Sequence, residues 1–302
     1  VQDVVFVVNP RAASGRAARV WAALRERAEL RQARCIMADT PRQARERLLD
    51  ALDAGSGAVV RRVIALGGDG TLNCVAGTLL ASGHPAVLGL IPVGSGSDTA
   101  RVLGLGRNPG LSLQRALQSE PRPMDALRYD PCEGGGRGWV INIASTGISG
   151  LVARDVDARV RRWPGTYLWT ALKALRRFQP ASCRIEIDDR PWYQGPVLLC
   201  AVANGSTFAR GMRIAPHARC DDGMADVVLA LPAPLPRILP WLPGLYTGTH
   251  LRAPFVRWAR ARHVRIQPLT PDQPLPFETD GEPLTAAGMD FTLVAGALRM
   301  AF

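Results

Sequence analysis

The chain has 302 residues, 47% of them hydrophobic and 21% charged. That is enough to bury a large core and, by length, to form two domains. Every long apolar run is broken by charge or proline, which excludes a spanning helix. The net charge is +11, nearly all of it carried by arginine, with Lys173 the sole lysine. Such a surface suits phosphate-bearing substrates, anionic lipid or nucleic acid.

Val4 to Val8 reads as a first strand ending at Asn9-Pro10, with no basic, signal-like stretch ahead of it. A helical pattern over Gly15–Arg34 follows. Next come a strand at Cys35–Ala38, Thr40, and a helix from Pro41 to about Ala54. Arg62–Leu66 and Val87–Ile91 are strands that run into glycine turns, with a helix at Leu72–Ala81 between them. Short apolar strands alternating with helices predict a parallel sheet covered on both faces. After Met124 the rhythm changes. Strands are expected at Ala126–Tyr129, Gly138–Ala144, Cys183–Ile187, Val197–Val202, Ala225–Ala230, His263–Gln267, Pro276–Thr279 and Phe291–Val294. With few helices between them, this half should be β-rich and antiparallel. Helical segments are expected over Val152–Arg177, interrupted near Trp163-Pro164-Gly165, and over Leu235–Tyr246.

The sharpest motif is Gly67-Gly68-Asp69-Gly70-Thr71-Leu72-Asn73, a strand running through a glycine turn into a helix. Glycines let the backbone approach a polyphosphate, and the N–H groups of a helix start face anionic oxygens. Asp69 can organise Mg²⁺ or the nucleotide, and Thr71 can cap the helix. A capped structural turn is the competing reading. A second glycine turn, Pro92 to Arg101, ends the next strand, and Asn9-Pro10-Arg11 to Arg16 ends the first. Loops at the carboxyl ends of parallel strands are where open α/β sheets bind ligands. The Walker A pattern and the protein-kinase motif set are absent, and a Rossmann fingerprint fits poorly. Two acidic turns follow. Asp222 in Arg219-Cys220-Asp221-Asp222-Gly223-Met224 can bind a hard cation with nearby carbonyls. In Glu278-Thr279-Asp280-Gly281-Glu282-Pro283, Asp280 and Glu282 flank a glycine, and one of these two carboxylates can take a proton from an acceptor hydroxyl while the other orients the base or helps hold metal. An ordinary Asp-Gly turn is the competing reading for both. The six cysteines and four histidines lack zinc-like spacing, and the cysteines read as free thiols in a reducing cytoplasm.

Taken in order, these pieces resemble the diacylglycerol kinase catalytic family, in particular its YegS-like and DgkB-like bacterial lipid kinases, related to sphingosine and ceramide kinases. Asn9-Pro10, Thr40, Gly67 to Asn73, Pro92 to Arg101, Ile141 to Gly147, Ala203-Asn204-Gly205, Ala215-Pro216, Asp222-Gly223 and Asp280 to Leu284 carry the likeness. The resemblance implies an N-terminal α/β domain with a parallel sheet, like NAD kinase or phosphofructokinase, and a C-terminal β-sandwich-like domain. The expected spans are 1–124, with 293–302 rejoining it, and 125–292. It places ATP in the cleft between them. Asn9, Thr40, Gly67, Gly68, Asp69, Gly70, Thr71, Leu72, Asn73 and Ser95 match the nucleotide-binding positions. Glu282 matches the proton acceptor, with Asp280 and Asp69 nearby, and Asp222 with the carbonyls of Arg219 and Met224 matches a structural Mg²⁺ site. The sequence departs at Gly94-Ser95-Gly96-Ser97-Asp98, where the family's usual loop has asparagine in place of Ser97, at Ser206 to Gly211, and at Ala144 to Gly150.

The implied reaction moves the γ-phosphoryl group of Mg-ATP to a hydroxyl of a diacylglycerol-like lipid, by positioning and electrostatics. A kinase of a soluble acceptor such as NAD or a sugar, and a nucleotide-binding protein without catalysis, are the alternatives. The implied partner is a lipid, in the cytoplasm or at the inner face of the membrane. A homodimer is compatible, and no nucleic-acid motif accompanies the charge. Arginines and Lys173 interleave with aromatic residues over 159–178, and Pro234–Tyr246 is rich in proline and apolar residues. Either stretch can lie on an anionic bilayer or pack its apolar face into the core.

Overall fold

The short apolar runs of the N-terminal part pair side by side. The computed structural model describes residues 3–27, 30, 32–53, 60–94, 96–150, 152, 175, 178–270 and 273–302. In it β1 (Val4–Val8), β2 (Arg34–Met37), β3 (Arg62–Gly67) and β4 (Val87–Pro92) are parallel, in the order β2-β1-β3-β4. Every residue of β1 is buried, as in a strand covered on both faces. α1 (Ala12–Arg25), α2 (Pro41–Asp53) and α3 (Asp69–Ser82) follow β1, β2 and β3, and the short α4 (Asp98–Val102) and α5 (Pro109–Gln118) follow β4. Phe6 and Trp21, with ring centroids 4.9 Å apart, anchor a core with Ile64, Leu66, Ile91 and Leu113.

The chain forms two compact units, Val1–Met124 with Gly296–Phe302, and Asp125–Ala295. Two strands run from one unit into the other, β5 (Arg122–Pro131) and β16 (Met289–Ala301). The end of β16 pairs in parallel with β4, Met300 opposite Leu88 and Ala301 opposite Gly89.

The second unit holds a six-stranded antiparallel sheet. Its order is β12 (Val256–Ala261), β11 (Ala225–Ala230), β10 (Leu199–Ala203), β7 (Ile143–Gly147), β14 (Leu275–Thr279), β15 (Glu282–Ala286). Against it lie β13 (His263–Pro268), β8 (Ser182–Ile187), β9 (Arg190–Pro196) and the first part of β16, with the hairpin of β5 and β6 (Gly138–Val140). Alternation along β10 shows the layering. Cys200 and Val202 enter the core between the sheets, with Phe277, Ile185, Ile266 and Phe291. Ala201 and Ala203 enter a second cluster with Ile143, Ile214 and Val228 on the outer face. The α/β-plus-β-sandwich class expected from the sequence is the one observed.

Several elements differ from expectation, each for a local reason. The helix expected over Gly15–Arg34 ends at Arg25, where the chain turns to bury Leu30 completely. The strand expected over Gly138–Ala144 is split, because the amides of Ile141, Asn142 and Ile143 turn to Asp280. The 235–246 segment is broken by its prolines into α6 (Leu235–Ile238), a 3-10 turn at Leu239–Trp241 and α7 (Gly244–Thr247). The sequence reading missed α5, whose signal is Asn108-Pro109. Asn108 caps the helix by accepting from the amides of Gly110 and Leu111. It also missed β9, β12 and β15, which carry prolines or charges and gain strand structure only by pairing. Most of the helix expected over Val152–Arg177 lies outside the described residues.

Gly89 lets β4 and α5 meet. A Cβ there would sit 2.6 Å from Ala116 Cβ and 3.3 Å from Ile64 Cγ1. Gly89→Ala should therefore destabilise the fold by about 1–3 kcal/mol, read as a lower denaturation midpoint in urea with an unchanged slope.

Candidate active-site residues in the two units

Because β1 to β4 are parallel, the loops after them share one edge of the sheet. Backbone bonds extend the ladder past the strands: Ala38 N–H to Val8 O (3.1 Å), Asn9 N–H to Leu66 O (3.3 Å) and Val93 N–H to Gly67 O (2.9 Å). From β1 the chain goes to β2 on one side and then to β3 on the other, so the β1/β3 boundary is a topological switch point, where ligands of such sheets bind. The loops of Asn9 and of Gly67–Asp69 flank it.

The two glycine loops touch. A Cβ on Gly94 would lie 2.8 Å from Gly68 Cα, so only glycine permits this approach. A Cβ on Gly67 would strike Thr71 Oγ1. Asp69 is the first residue of α3, after Gly68 at the N-cap. Its Oδ2 accepts from Asp98 N–H and its Oδ1 from Thr99 N–H, both at 3.0 Å. The carboxylate thus ties one loop to the other. Ser97 stands at φ 38°, and its hydroxyl donates to Gly94 O at 3.1 Å. Arg101 donates to Gly96 O and Asp98 Oδ1. The loop is therefore closed on itself despite the missing asparagine.

Of the other positions expected to contact nucleotide, Asn9, Thr40 and Gly70 to Asn73 fall on the same edge. Asn9 Oδ1 accepts from Arg11 N–H at 3.0 Å, and Arg11 pairs with Asp39 on the surface. Thr40 is exposed, its hydroxyl oxygen accepting from Gln43 N–H at the start of α2. Gly70 is exposed, and Thr71 and Leu72 are buried in the first turn of α3. Asn73 Oδ1 is buried, with no hydrogen-bond partner among the described residues. Ser95 lies outside the described residues.

In the second unit, β14 and β15 are joined by a two-residue turn, Asp280 at φ 51° and Gly281 at φ 92°. Positive φ at both central residues fits the twist of a tight hairpin. The turn aims Asp280 at the break between β6 and β7. Its Oδ2 accepts from Ile141 N–H (2.6 Å), and its Oδ1 from Asn142 N–H (2.9 Å) and Ile143 N–H (3.0 Å). Burial raises its pKa to about 7. The charge of Glu278 adds to the rise, while the three N–H donors oppose it. Glu278, to which the sequence reading gave no role, is buried. It accepts from Ser145 Oγ (2.8 Å) and Gly281 N–H (2.7 Å). Glu282 opens β15 and is exposed. Two buried asparagines complete the knot. Asn204 donates to Asp125 O and Ile141 O, and Asn142 to Thr207 O. Their Oδ1 atoms have no partner among the described residues.

The other acidic turn is occupied differently. Asp222 Oδ1 accepts from Met224 N–H at 3.2 Å, and its Oδ2 receives the guanidinium of Arg260. Arg219 pairs with Asp221 at 3.2 Å on the surface. Asp125 holds the turn from behind, accepting from Gly223 N–H at 2.8 Å.

Residues 3–129 match the diacylglycerol kinase catalytic domain, and residues 142–302 match the YegS C-terminal NAD kinase beta sandwich-like domain. A probable lipid kinase YegS-like of Stenotrophomonas maltophilia is 31% identical over 265 residues, covering 83% of this chain and 80% of that one. Its counterpart in Pseudomonas putida is 31% identical over 259 residues, covering 85% of this chain and 81% of its own. The chain belongs to the YegS-like lipid kinase family. The fold of a putative diacylglycerol kinase from Bacillus anthracis superposes with a TM-score of 0.77 at 19% identity, over 99% of this chain and 94% of that one. Yeast NADH kinase superposes at 0.54 with 13% identity, over 98% of this chain and 82% of its own.

In this family member the structural Mg²⁺ implied at Asp222, Arg219 and Met224 does not fit the turn as it stands. Mg²⁺ demands near-octahedral oxygen ligands. Both oxygens of Asp222 already have donors, one of them a cation.

Two measurements test these placements. Asp69→Ala leaves the amides of Asp98 and Thr99 without acceptors. Their hydrogen exchange should rise, and stability should fall by about 1–3 kcal/mol. Asp280 has a folded-state pKa above its unfolded one, so the folded chain holds an extra proton between roughly pH 4 and pH 7. Its contribution is complete below that window and is lost as pH rises through it. The melting temperature of Asp280→Asn should therefore fall less steeply across the window than that of the parent protein.

Proposed function

We propose that this kinase-family member transfers the γ-phosphoryl group of Mg-ATP to a hydroxyl of a diacylglycerol-like lipid. The observation that carries the reading is the meeting of two glycine loops at the sheet's carboxyl edge, Gly68 against Gly94, latched by Asp69. Backbone so close-packed and free of side chains suits the oxygens of a polyphosphate. Gly67 to Asn73 and the loop from Gly94 hold the phosphates, and Asn9 and Thr40 border the same edge. Mg²⁺ bound with the nucleotide supplies neutralisation of the phosphate charge. Asp69 acts by fixing one loop to the other. On the acceptor side, Glu282 is the carboxylate that can take the hydroxyl proton, because it is exposed, whereas both oxygens of Asp280 are engaged by backbone N–H groups. Asp280 then positions Glu282 by holding the hairpin turn. Such proton transfer contributes about 10²–10⁴-fold in rate.

A lipid acceptor agrees with the family and with a cavity of about 420 Å³ in the second unit, lined by Thr146, Phe178, Cys183, Val197, Leu275 and Pro276. Among the described residues no helix is long and apolar enough to cross a membrane. The basic aromatic stretch over 159–178 falls outside the described residues except Leu175 and Phe178. Those two pack beside Ile148, Val152 and Leu198.

Incubation with labelled ATP and a total lipid extract should yield a labelled phospholipid. Glu282→Gln should lower its formation at least about 100-fold with melting unchanged. Label appearing only on a water-soluble acceptor, or near-normal turnover in the variant, would refute the reading.

A further inference from the structure

The turn from Arg219 to Asp226 carries a cation of its own. β11 and β12 pair with Asp226 directly opposite Arg260, so the two side chains lie on one face of the sheet as cross-strand neighbours. From there the Arg260 guanidinium reaches out of the sheet to Asp222 Oδ2 and stands 4.0 Å from Asp226 Oδ2. Asp226 is fully buried. Its Oδ1 accepts from Trp258 Nε1–H at 2.5 Å, while its Oδ2 has no hydrogen-bond donor among the described residues. His217 packs edge-on against Trp258, with centroids 5.4 Å apart, and closes that side. Two carboxylates, one of them enclosed, thus converge on one guanidinium. A carboxylate enclosed in this way demands a countercharge. Arginine supplies a permanent one with a planar fork of donors. A divalent ion at Asp222 would have to displace that fork or tolerate it at contact distance, where like charges repel strongly.

We propose that Arg260 is the resident cation of this turn, so that the chain holds the 219–226 segment without a divalent metal ion. How this loop of the second unit is held is independent of what the kinase-family chain phosphorylates.

Melting of the nucleotide-free protein, with EDTA or with added Mg²⁺ or Ca²⁺, tests it. The parent protein should melt at the same temperature in all three, or show only a shift that Asp222→Asn leaves in place. Arg260→Met should melt about 5 °C or more lower in EDTA, because two carboxylates lose their countercharge. The double variant Arg260→Met, Asp222→Asn should recover part of the loss. If Arg260→Met does not fold, calcium titration calorimetry of the parent protein against Asp222→Asn decides alone. Metal binding or stabilisation of the parent protein that Asp222→Asn abolishes would overturn the proposal, as would Arg260→Met melting like the parent in EDTA.

Discussion

Loops that leave a sheet to build a binding edge cannot satisfy their own N–H groups, and this fold answers that constraint with aspartates placed across from them. Asp69 accepts from the amides of Asp98 and Thr99. Asp280 accepts from three successive amides at the break between β6 and β7, and Asp125 from Gly223. A buried amide without an acceptor costs free energy comparable to a lost hydrogen bond. Each aspartate therefore fixes a loop conformation that the local sequence would not hold by itself. The proposed binding edge gains from this, because loops already held in shape lose less entropy when a ligand arrives.

The placement also separates roles that share a residue type. Glu278, Asp280 and Glu282 stand within one hairpin, yet the first faces Ser145 and the turn amide, the second holds the backbone, and the third looks to solvent. The two-residue turn produces this division. Positive φ at Asp280 and Gly281 swings the aspartate onto the β6–β7 break, while Glu278, on the opposite face of β14 from Phe277, is buried against Ser145 and the turn amide. In the proposed reaction only the outward carboxylate is available to a substrate. The other two keep it in position.

The first glycine loop and the second differ in how tightly the residue types are dictated. Gly67 and Gly94 are required by contact, since a Cβ on the first would strike Thr71 and on the second Gly68 Cα. Ser97 takes a left-handed conformation that asparagine adopts more readily, and its hydroxyl bond to Gly94 O offsets some of that cost. The departure from the family's usual residue is thus absorbed inside the loop, and the tie to Asp69 survives it.

Much of the fold was legible in the sequence. Buried parallel strands such as Val4–Val8 announce themselves as unbroken apolar runs, and glycine turns mark the ends of two of them, so the α/β half could be read from local pattern. The ordered motifs also identified the family. What the sequence withheld depends on partners far away along the chain. β12 and β15 have no strong strand pattern, because an edge strand keeps polar residues and takes its conformation from the neighbour it bonds. Without β12 in place, nothing marks Arg260 as the cation opposite Asp222 and Asp226, and the Asp222 turn reads as a metal loop. In the same way the letters Asp-Gly-Glu fix a turn, but which carboxylate is buried follows from the register of β14 against β7, and register is a property of the packed sheet.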